Sequence, residues 1–274
     1  MTSRPPLESL VRLAIEAGRE IMAVREAGFE AMRKGDGSPV TIADQRAEAL
    51  IETGLAALSP AIPMLGEEAV EAGRIPAPSA RYFCVDALDG TRGFAQGGDE
   101  FTVNIGLSED GVPTIGVILA PVSGALYAGE PGRALRARVA LDGNVQIALS
   151  PIAASAQRGE VWRIVASRTF GRTERAKAFA AALGDCSQQD ASSSIKFCRV
   201  AEGAADLYPR FGEMSEWDAA AGHAILAAAG GGVMRLDGSP LTYGARDDNF
   251  LIRGLIGYAN EPSAIAARDA LKRI

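Results

Sequence analysis

The sequence holds a single histidine, His223, and only three cysteines, Cys84, Cys186 and Cys198, among 274 residues. One imidazole excludes the zinc hydrolases built on His-Glu-x-x-His, which need two. The cysteines are odd in number, far apart and without a Cys-x-x-Cys pairing, so neither a disulfide framework nor a thiolate zinc site is indicated, and a reducing cytoplasm fits best. Any metal is therefore expected on oxygen donors. Positive charge is also scarce: 28 Lys and Arg stand against 34 Asp and Glu, a net charge of −6. That balance argues against a nucleic-acid polymer as partner, because such binding neutralises phosphates with basic side chains. No Gly-x-x-x-x-Gly-Lys-Ser/Thr occurs, which excludes a P-loop nucleotidase. The longest charge-free stretch, Gly111 to Gly129, has the 19 residues of a membrane span, but its prolines and glycines read as strand, turn, strand, and no transmembrane helix is expected. Met1 to Leu7 carries two prolines and no apolar run, so no signal peptide is expected and the protein should stay where it is made.

What is present is an ordinary globular composition, 47% apolar and 23% charged, enough to bury a substantial core in one large domain or two packed lobes. Leu7 to Ala27 and about Ala43 to Leu58 place apolar residues at helical spacing, with a Gly/Lys/Asp-rich turn, Lys34 to Pro39, between them. From Ile62 the period changes. Ile62 to Leu65, Tyr82 to Val85, Thr102 to Leu107, Ile115 to Ala120 and Ala125 to Ala128 read as strands, several without room for a helix between them, which implies a mostly antiparallel sheet. After about Pro151 the rhythm becomes strand-like Arg163 to Ala166, helical Arg172 to Leu183 and Ser194 to Glu202, strand-like Asp206 to Tyr208, and a long Ala-rich helix over Asp218 to Ala229. The shift at Leu149 to Gly159 suggests two lobes, 1–152 and 153–274. No internal repeat is found.

The densest chemical feature is Val85-Asp86-Ala87-Leu88-Asp89-Gly90-Thr91, where an apolar strand ends in two carboxylates followed by glycine and a hydroxyl. If the chain turns there, Asp86, Asp89 and the Leu88 carbonyl form an all-oxygen set suited to Mg²⁺. The backbone N–H groups of Gly90 and Thr91 would then be free for a phosphate. On spacing alone an Asp-Gly turn closing a hairpin remains open. Gly66-Glu67-Glu68 and Trp217-Asp218 are bland singly, as a solvated face and a helix-dipole partner, and Thr41-Ile-Ala-Asp44 looks like a helix cap.

Together these residues resemble the inositol monophosphatase-like superfamily of Mg²⁺-dependent, lithium-sensitive phosphatases. Gly66-Glu67-Glu68 matches its Gly-Glu-Glu element, Asp86-Ala-Leu-Asp-Gly-Thr91 its Asp-Pro-Ile/Leu-Asp-Gly-Thr element, and Trp217-Asp218-Ala-Ala-Ala-Gly222 its Trp-Asp-x-Ala-Ala-Gly element. The resemblance runs from Ser38-Pro-Val-Thr-Ile-Ala-Asp44 to the final helix. It implies an α/β (α+β) layered αβαβα sandwich with an N-terminal, mostly antiparallel lobe and a C-terminal α/β lobe. Phe197-Cys198, Ala201-Glu202-Gly203, Ala205-Asp206-Leu-Tyr-Pro-Arg-Phe211 and Trp217 to His223 are similar to the CysQ-type 3′(2′),5′-bisphosphate nucleotidases in particular. Two departures are Ala87 where the family has proline and Ser192 where the subgroup has glycine.

The resemblance implies metal ligands Glu67, Asp86, the Leu88 carbonyl, Asp89 and Asp218, holding two or three Mg²⁺. It implies Thr91 as the residue that activates water, oriented by Asp44, with Glu67 beside the same water. Gly90 and Thr91 would hold the scissile phosphate through their backbone groups, Asp89 and Asp218 would also be substrate-binding, and Lys196 and Arg210 would supply a second anion site. Glu68 has no assigned role, His223 reads as a satisfied helix histidine and Trp217 as a core anchor. The expected reaction is hydrolysis of the 3′-phosphate of adenosine 3′,5′-bisphosphate to AMP, a step linked to sulfate assimilation. The partner is a small phosphate ester, with homodimer formation left open and a cytoplasmic location, free or peripheral at the inner face of the membrane. Three rivals stand beside it: a serine nucleophile in Ser193-Ser-Ile-Lys196, a catalytically silent nucleotide-binding regulator, and a sibling phosphatase acting on inositol or sugar phosphates.

Overall fold

Apolar side chains at three- and four-residue spacing give the chain two opening helices, Leu7–Ala27 (α1) and Ile42–Leu58 (α2). The computed structural model describes residues 4–30, 32–33, 39–142, 147–155 and 160–274. Between the helices Met32–Arg33 (β1) pairs antiparallel with Pro39–Val40 (β2). Most of the turn expected over Lys34 to Pro39, and the tail of the expected lobe boundary at 156–159, lie outside the described residues.

Met64–Gly66 (β3), Arg81–Asp89 (β4), Thr102–Glu109 (β5), Val112–Ala120 (β6), Ala125–Glu130 (β7), Arg133–Arg138 (β8) and Ser150–Pro151 (β9) form a seven-stranded sheet in sequence order. All neighbours are antiparallel except β3 and β4. That parallel pair needs a crossover, which the short helix Glu67–Glu71 (α3) and the segment after it supply. Gly111 to Gly129 is a strand hairpin, and no helix among the described residues is long and apolar enough to cross a membrane. The strands β8 and β9 were not expected from sequence.

The second sheet has five strands in the order Cys186–Asp190 (β11), Trp162–Ala166 (β10), Leu207–Arg210 (β12), Leu255–Tyr258 (β16), Gly232–Met234 (β14). Met214–Ser215 (β13) and Leu251–Ile252 (β15) pair separately. The helices between them are Glu174–Leu183 (α5), Ile195–Ala201 (α6), Glu216–Ala228 (α7) and Glu261–Leu271 (α8), while Thr91–Ala95 (α4) lies between β4 and β5. The helix expected from Arg172 starts two residues later because Thr173 caps it, accepting from the Ala176 N–H at 3.2 Å.

Alternation along the strands sorts the core into layers. Phe83, Val85, Ile105 and Val117 face α1 and α2, whereas Cys84, Ile118 and Tyr127 face α6 and α7. Val165, Tyr208 and Leu255 close that middle layer from the second sheet, and Ile164, Leu207 and Ile256 turn outward onto Phe179 and Ala267 of α5 and α8. The order is therefore αβαβα, as expected.

The middle layer is tight because α7 is apolar all round and buries most of its length. Gly106, Gly116 and Gly129 are direct cross-strand partners on β5, β6 and β7, a row of bare backbone on which its alanines rest. A Cβ at Gly116 would stand 2.1 Å from the Ala221 carbonyl oxygen. Gly116→Ala is thus expected to lift α7, at about 3 kcal/mol for overpacking and several degrees in Tm. An unchanged thermal midpoint would contradict this seating.

Candidate active site

The end of β4 builds the centre of the site. Asp86 pairs with Asn104 and Asp89 with Thr102, so two residues of β4, Ala87 and Leu88, bulge out of the register. The Leu88 N–H donates to Asp86 Oδ1 at 2.9 Å and fixes the bulge, which explains why alanine serves at 87 without a proline ring. Gly90 has φ +102°, and a Cβ there would meet the Ser193 hydroxyl at 2.7 Å. The chain turns there into α4, so Asp89-Gly90 opens a helix and does not close a hairpin.

One oxygen each of Glu67, Asp86 and Asp218 lies within 4.8 Å of the others, bringing together the start of α3, the end of β4 and the first turn of α7. Asp86 is 3% exposed. Burial, with the charges of Glu67, Asp89 and Asp218 added, pushes its carboxyl well above the usual range. Burial and the charges of Asp89 and Glu67 push Asp218 up likewise. Buried carboxylates that repel one another and offer only oxygen are the donor set a hard divalent cation relieves, so these residues fit the metal dependence expected of them. Asp89 lies outside the tight trio: its Oδ2 accepts from the Ser194 hydroxyl at 3.0 Å. Thr91 Oγ1 lies 2.9 Å from the Leu88 carbonyl, one of two acceptors within reach of its single proton.

Helix capping aims two of these acids. Asp44 is the third residue of α2, and its Oδ2 accepts from the Thr41 N–H and hydroxyl at 2.7 Å each. Its Oδ1 stands 2.9 Å from Thr91 Oγ1, which donates to it. The cap and the functional reading of Asp44 therefore both hold geometrically, one oxygen for each. Asp218 repeats the pattern in α7, with Oδ2 accepting from the Ser215 N–H at 2.9 Å and Oδ1 left outside the capping box.

Lys196 and Arg210 line a cavity of about 110 Å³ with Asp89, Ser194, Tyr208 and Asp218. Lys196 is 5% exposed and no surface lysine: its ammonium donates to the Ser193 carbonyl at 2.6 Å and lies 5.4 Å from the centre of the Tyr208 ring. Burial lowers its pKa to about 8. The Arg210 guanidinium donates to the Glu213 and Gly212 carbonyls at 2.8 and 3.3 Å. Since the Ser193 hydroxyl donates instead to the Asp89 carbonyl at 3.0 Å, Ser193 and Lys196 are not assembled as nucleophile and base. Ser192, in the place of a glycine, gives its hydroxyl to Glu100 Oε2 at 2.6 Å.

His223 is a core histidine. Its Nδ1 is 3.2 Å from the Tyr243 hydroxyl, and burial lowers its pKa to about 4. Trp217 packs against Phe250 at 6.4 Å between ring centres. Two buried acids were missed in the sequence. Glu48 accepts from the Glu68 and Ala69 N–H groups at 2.9 and 2.7 Å and seats the first turn of α3, where Glu67 sits. Its four-residue spacing from Asp44 puts both on one face of α2, a signal that could have found it. Glu216 accepts from the Gly244 and Ala245 N–H groups at 2.7 and 2.9 Å and from the Tyr82 hydroxyl at 2.9 Å, anchoring α7 two residues before Asp218.

Comparison with known proteins places the chain in a family. The chain is 39% identical over 245 residues to the 3′(2′),5′-bisphosphate nucleotidase CysQ of Escherichia coli strain K12, covering 88% of this chain and 95% of that protein. It is 41% identical to the CysQ of Salmonella typhimurium over the same shares. The crystal structure of CysQ from Bacteroides thetaiotaomicron superposes with a TM-score of 0.74 at 34% identity, covering 92% and 96% of the two chains. An inositol monophosphatase from Anabaena shares the fold at a TM-score of 0.71 and 22% identity over 98% and 96%. The model of the inositol monophosphatase family, a metal-dependent family of phosphoric monoester hydrolases, matches residues 4–270, and the chain belongs to that family.

Proposed function

We propose that the chain is a Mg²⁺-dependent 3′(2′),5′-bisphosphate nucleotidase that hydrolyses the 3′-phosphate of adenosine 3′,5′-bisphosphate to leave AMP and phosphate. The observation that carries the chemistry is the meeting of Glu67, Asp86 and Asp218 beside the Thr91–Asp44 hydrogen bond. The likeness to CysQ enzymes over 88% of the chain carries the substrate.

Glu67, Asp86, the Leu88 carbonyl, Asp89 and Asp218 would hold two or three Mg²⁺. When bound, the ions supply Lewis-acid polarisation of the phosphoryl oxygens and neutralise the charge that accumulates during transfer. The chain's own residues do the rest. Thr91 donates its proton to Asp44, which leaves an Oγ1 lone pair to accept from a water and aim that water at phosphorus. As the water attacks, its proton passes to Thr91 and the Thr91 proton to Asp44, with Glu67 beside the same water. The Gly90 and Thr91 N–H groups face the scissile phosphate. Asp89 and Asp218, which would hold the ions, count among the substrate-binding residues, and Lys196 with Arg210 takes the phosphate that stays on the product. The three free cysteines suit a reducing compartment, and we place the chain in the cytoplasm.

The test is kcat/KM for adenosine 3′,5′-bisphosphate, 5′-AMP, inositol 1-phosphate and fructose 1,6-bisphosphate with wild type and Lys196→Ala. The expected result is preference for the adenosine bisphosphate, with a loss of about tenfold to a hundredfold in Lys196→Ala for loss of a charge-assisted contact. Preference for inositol or fructose phosphate would overturn the substrate and the roles of Lys196 and Arg210.

A further inference from the structure

Asn104 is fully buried in an apolar strand, and its side chain has one hydrogen-bond partner among the described residues: Nδ2 donates to Ser194 Oγ at 2.9 Å, while Oδ1 has none. A buried amide with half of its capacity unmet is costly to a fold. Ser194 is equally odd. It occupies the position before α6 where a serine normally caps the helix, yet its hydroxyl makes no cap. The hydroxyl lies 3.0 Å from Asp89 Oδ2 and 3.0 Å from the Asp218 backbone carbonyl.

Counting protons orders this cluster. A carboxylate and a carbonyl only accept, and an amide NH₂ only donates. With Asn104 Nδ2 on one lone pair, the single Ser194 proton must point to Asp89 or to the Asp218 carbonyl, and the charged oxygen is the stronger acceptor. The reverse amide orientation would draw that proton to Asn104 and leave Asp89 Oδ2 and the Asp218 carbonyl facing a lone pair at hydrogen-bond distance. The orientation described gives the charged Asp89 oxygen a donor.

We infer that Asn104 and Ser194 are positioning residues for the metal centre. Asn104 makes Ser194 a donor, and Ser194 pins one oxygen of Asp89 so that the other faces the cluster. The Ser194 oxygen also lies 3.0 Å from the Asp218 backbone carbonyl, so the residue sits between the end of β4 and the first turn of α7. This rests on the reading of both aspartates as metal ligands. Hydrogen-bond partners that orient ligands in this way contribute about tenfold to a hundredfold in metal affinity.

The experiment is calorimetric titration of Mn²⁺ into EDTA-treated full-length protein, together with the thermal midpoint of the metal-free form. Ser194→Ala is expected to weaken Mn²⁺ binding by about tenfold to a hundredfold, and Ser194→Thr, which keeps the hydroxyl, to restore it. Asn104→Leu is expected to leave the metal-free midpoint at or above that of wild type, because it removes an unpaired buried group, and yet to weaken Mn²⁺ binding. That opposition is the signature of positioning, since a merely structural role would move both measurements the same way. Wild-type Mn²⁺ affinity in Ser194→Ala overturns the inference alone. A wild-type protein that takes up no Mn²⁺ removes the ligand reading and the inference together.

Discussion

Asp89→Asn is expected to reduce kcat by at least about a thousandfold while the protein stays folded. The substitution keeps the shape, and the asparagine oxygen can still accept from Ser194, the one side-chain hydrogen bond at Asp89 among the described residues. What it removes is the negative charge beside Asp86 and Asp218, both of which feel it. Charge stabilisation by a bound metal is worth several kcal/mol in the transition state, and each 1.4 kcal/mol or so is tenfold in rate. The circular dichroism spectrum should match wild type, and the metal-free thermal midpoint should lie at or above it, because like-charge repulsion is relieved. A variant that is folded and fully active would remove Asp89 from the site.

Thr91→Val carries the second large effect, a loss of about a hundredfold to ten-thousandfold in kcat with KM little changed, the range for a lost general acid–base group. Valine fills the space of threonine but cannot pass a proton between water and Asp44 Oδ1. The capping of α2 survives, because it uses Asp44 Oδ2 and the Thr41 groups. The stability cost comes from the Asp44 oxygen and the Leu88 carbonyl that lose the Thr91 hydroxyl, about 1–3 kcal/mol. Thr91→Ser should recover most of the activity. A Thr91→Val enzyme with unreduced kcat would show that water is activated elsewhere, and steady-state kinetics on the adenosine bisphosphate decides it.

Much of this site is legible in the amino-acid sequence, since its ligands cluster next to breaks of period. The β4 strand ends in Asp86 to Thr91, and helical periodicity bounds α1 at Leu7–Ala27 as read from sequence. Local chemistry also reads well at Asp44, where capping and function share one carboxylate. What stays illegible depends on partners distant in the chain. Glu216 looks like an ordinary acid at a helix start, and only the fold brings the Gly244 and Ala245 N–H groups to it. Gly106, Gly116 and Gly129 look like strand punctuation, yet they are the floor under α7. Asn104 interrupts an apolar strand without any local reason, because its partner Ser194 lies ninety positions on. Short strands such as β14 and β16 carry too few residues for a period to show.

A carboxylate cluster that hydrolyses a phosphate monoester with the help of a divalent cation must lose its activity with the cation. The most direct measurement is turnover of adenosine 3′,5′-bisphosphate with the nucleotide product identified by chromatography, in Mg²⁺, in Mg²⁺ plus lithium, and in EDTA. The expected result is stoichiometric 5′-AMP and phosphate in Mg²⁺, inhibition by lithium, and no turnover in EDTA. Turnover that persists in EDTA, or a Mg²⁺-loaded protein that releases no phosphate, would contradict it.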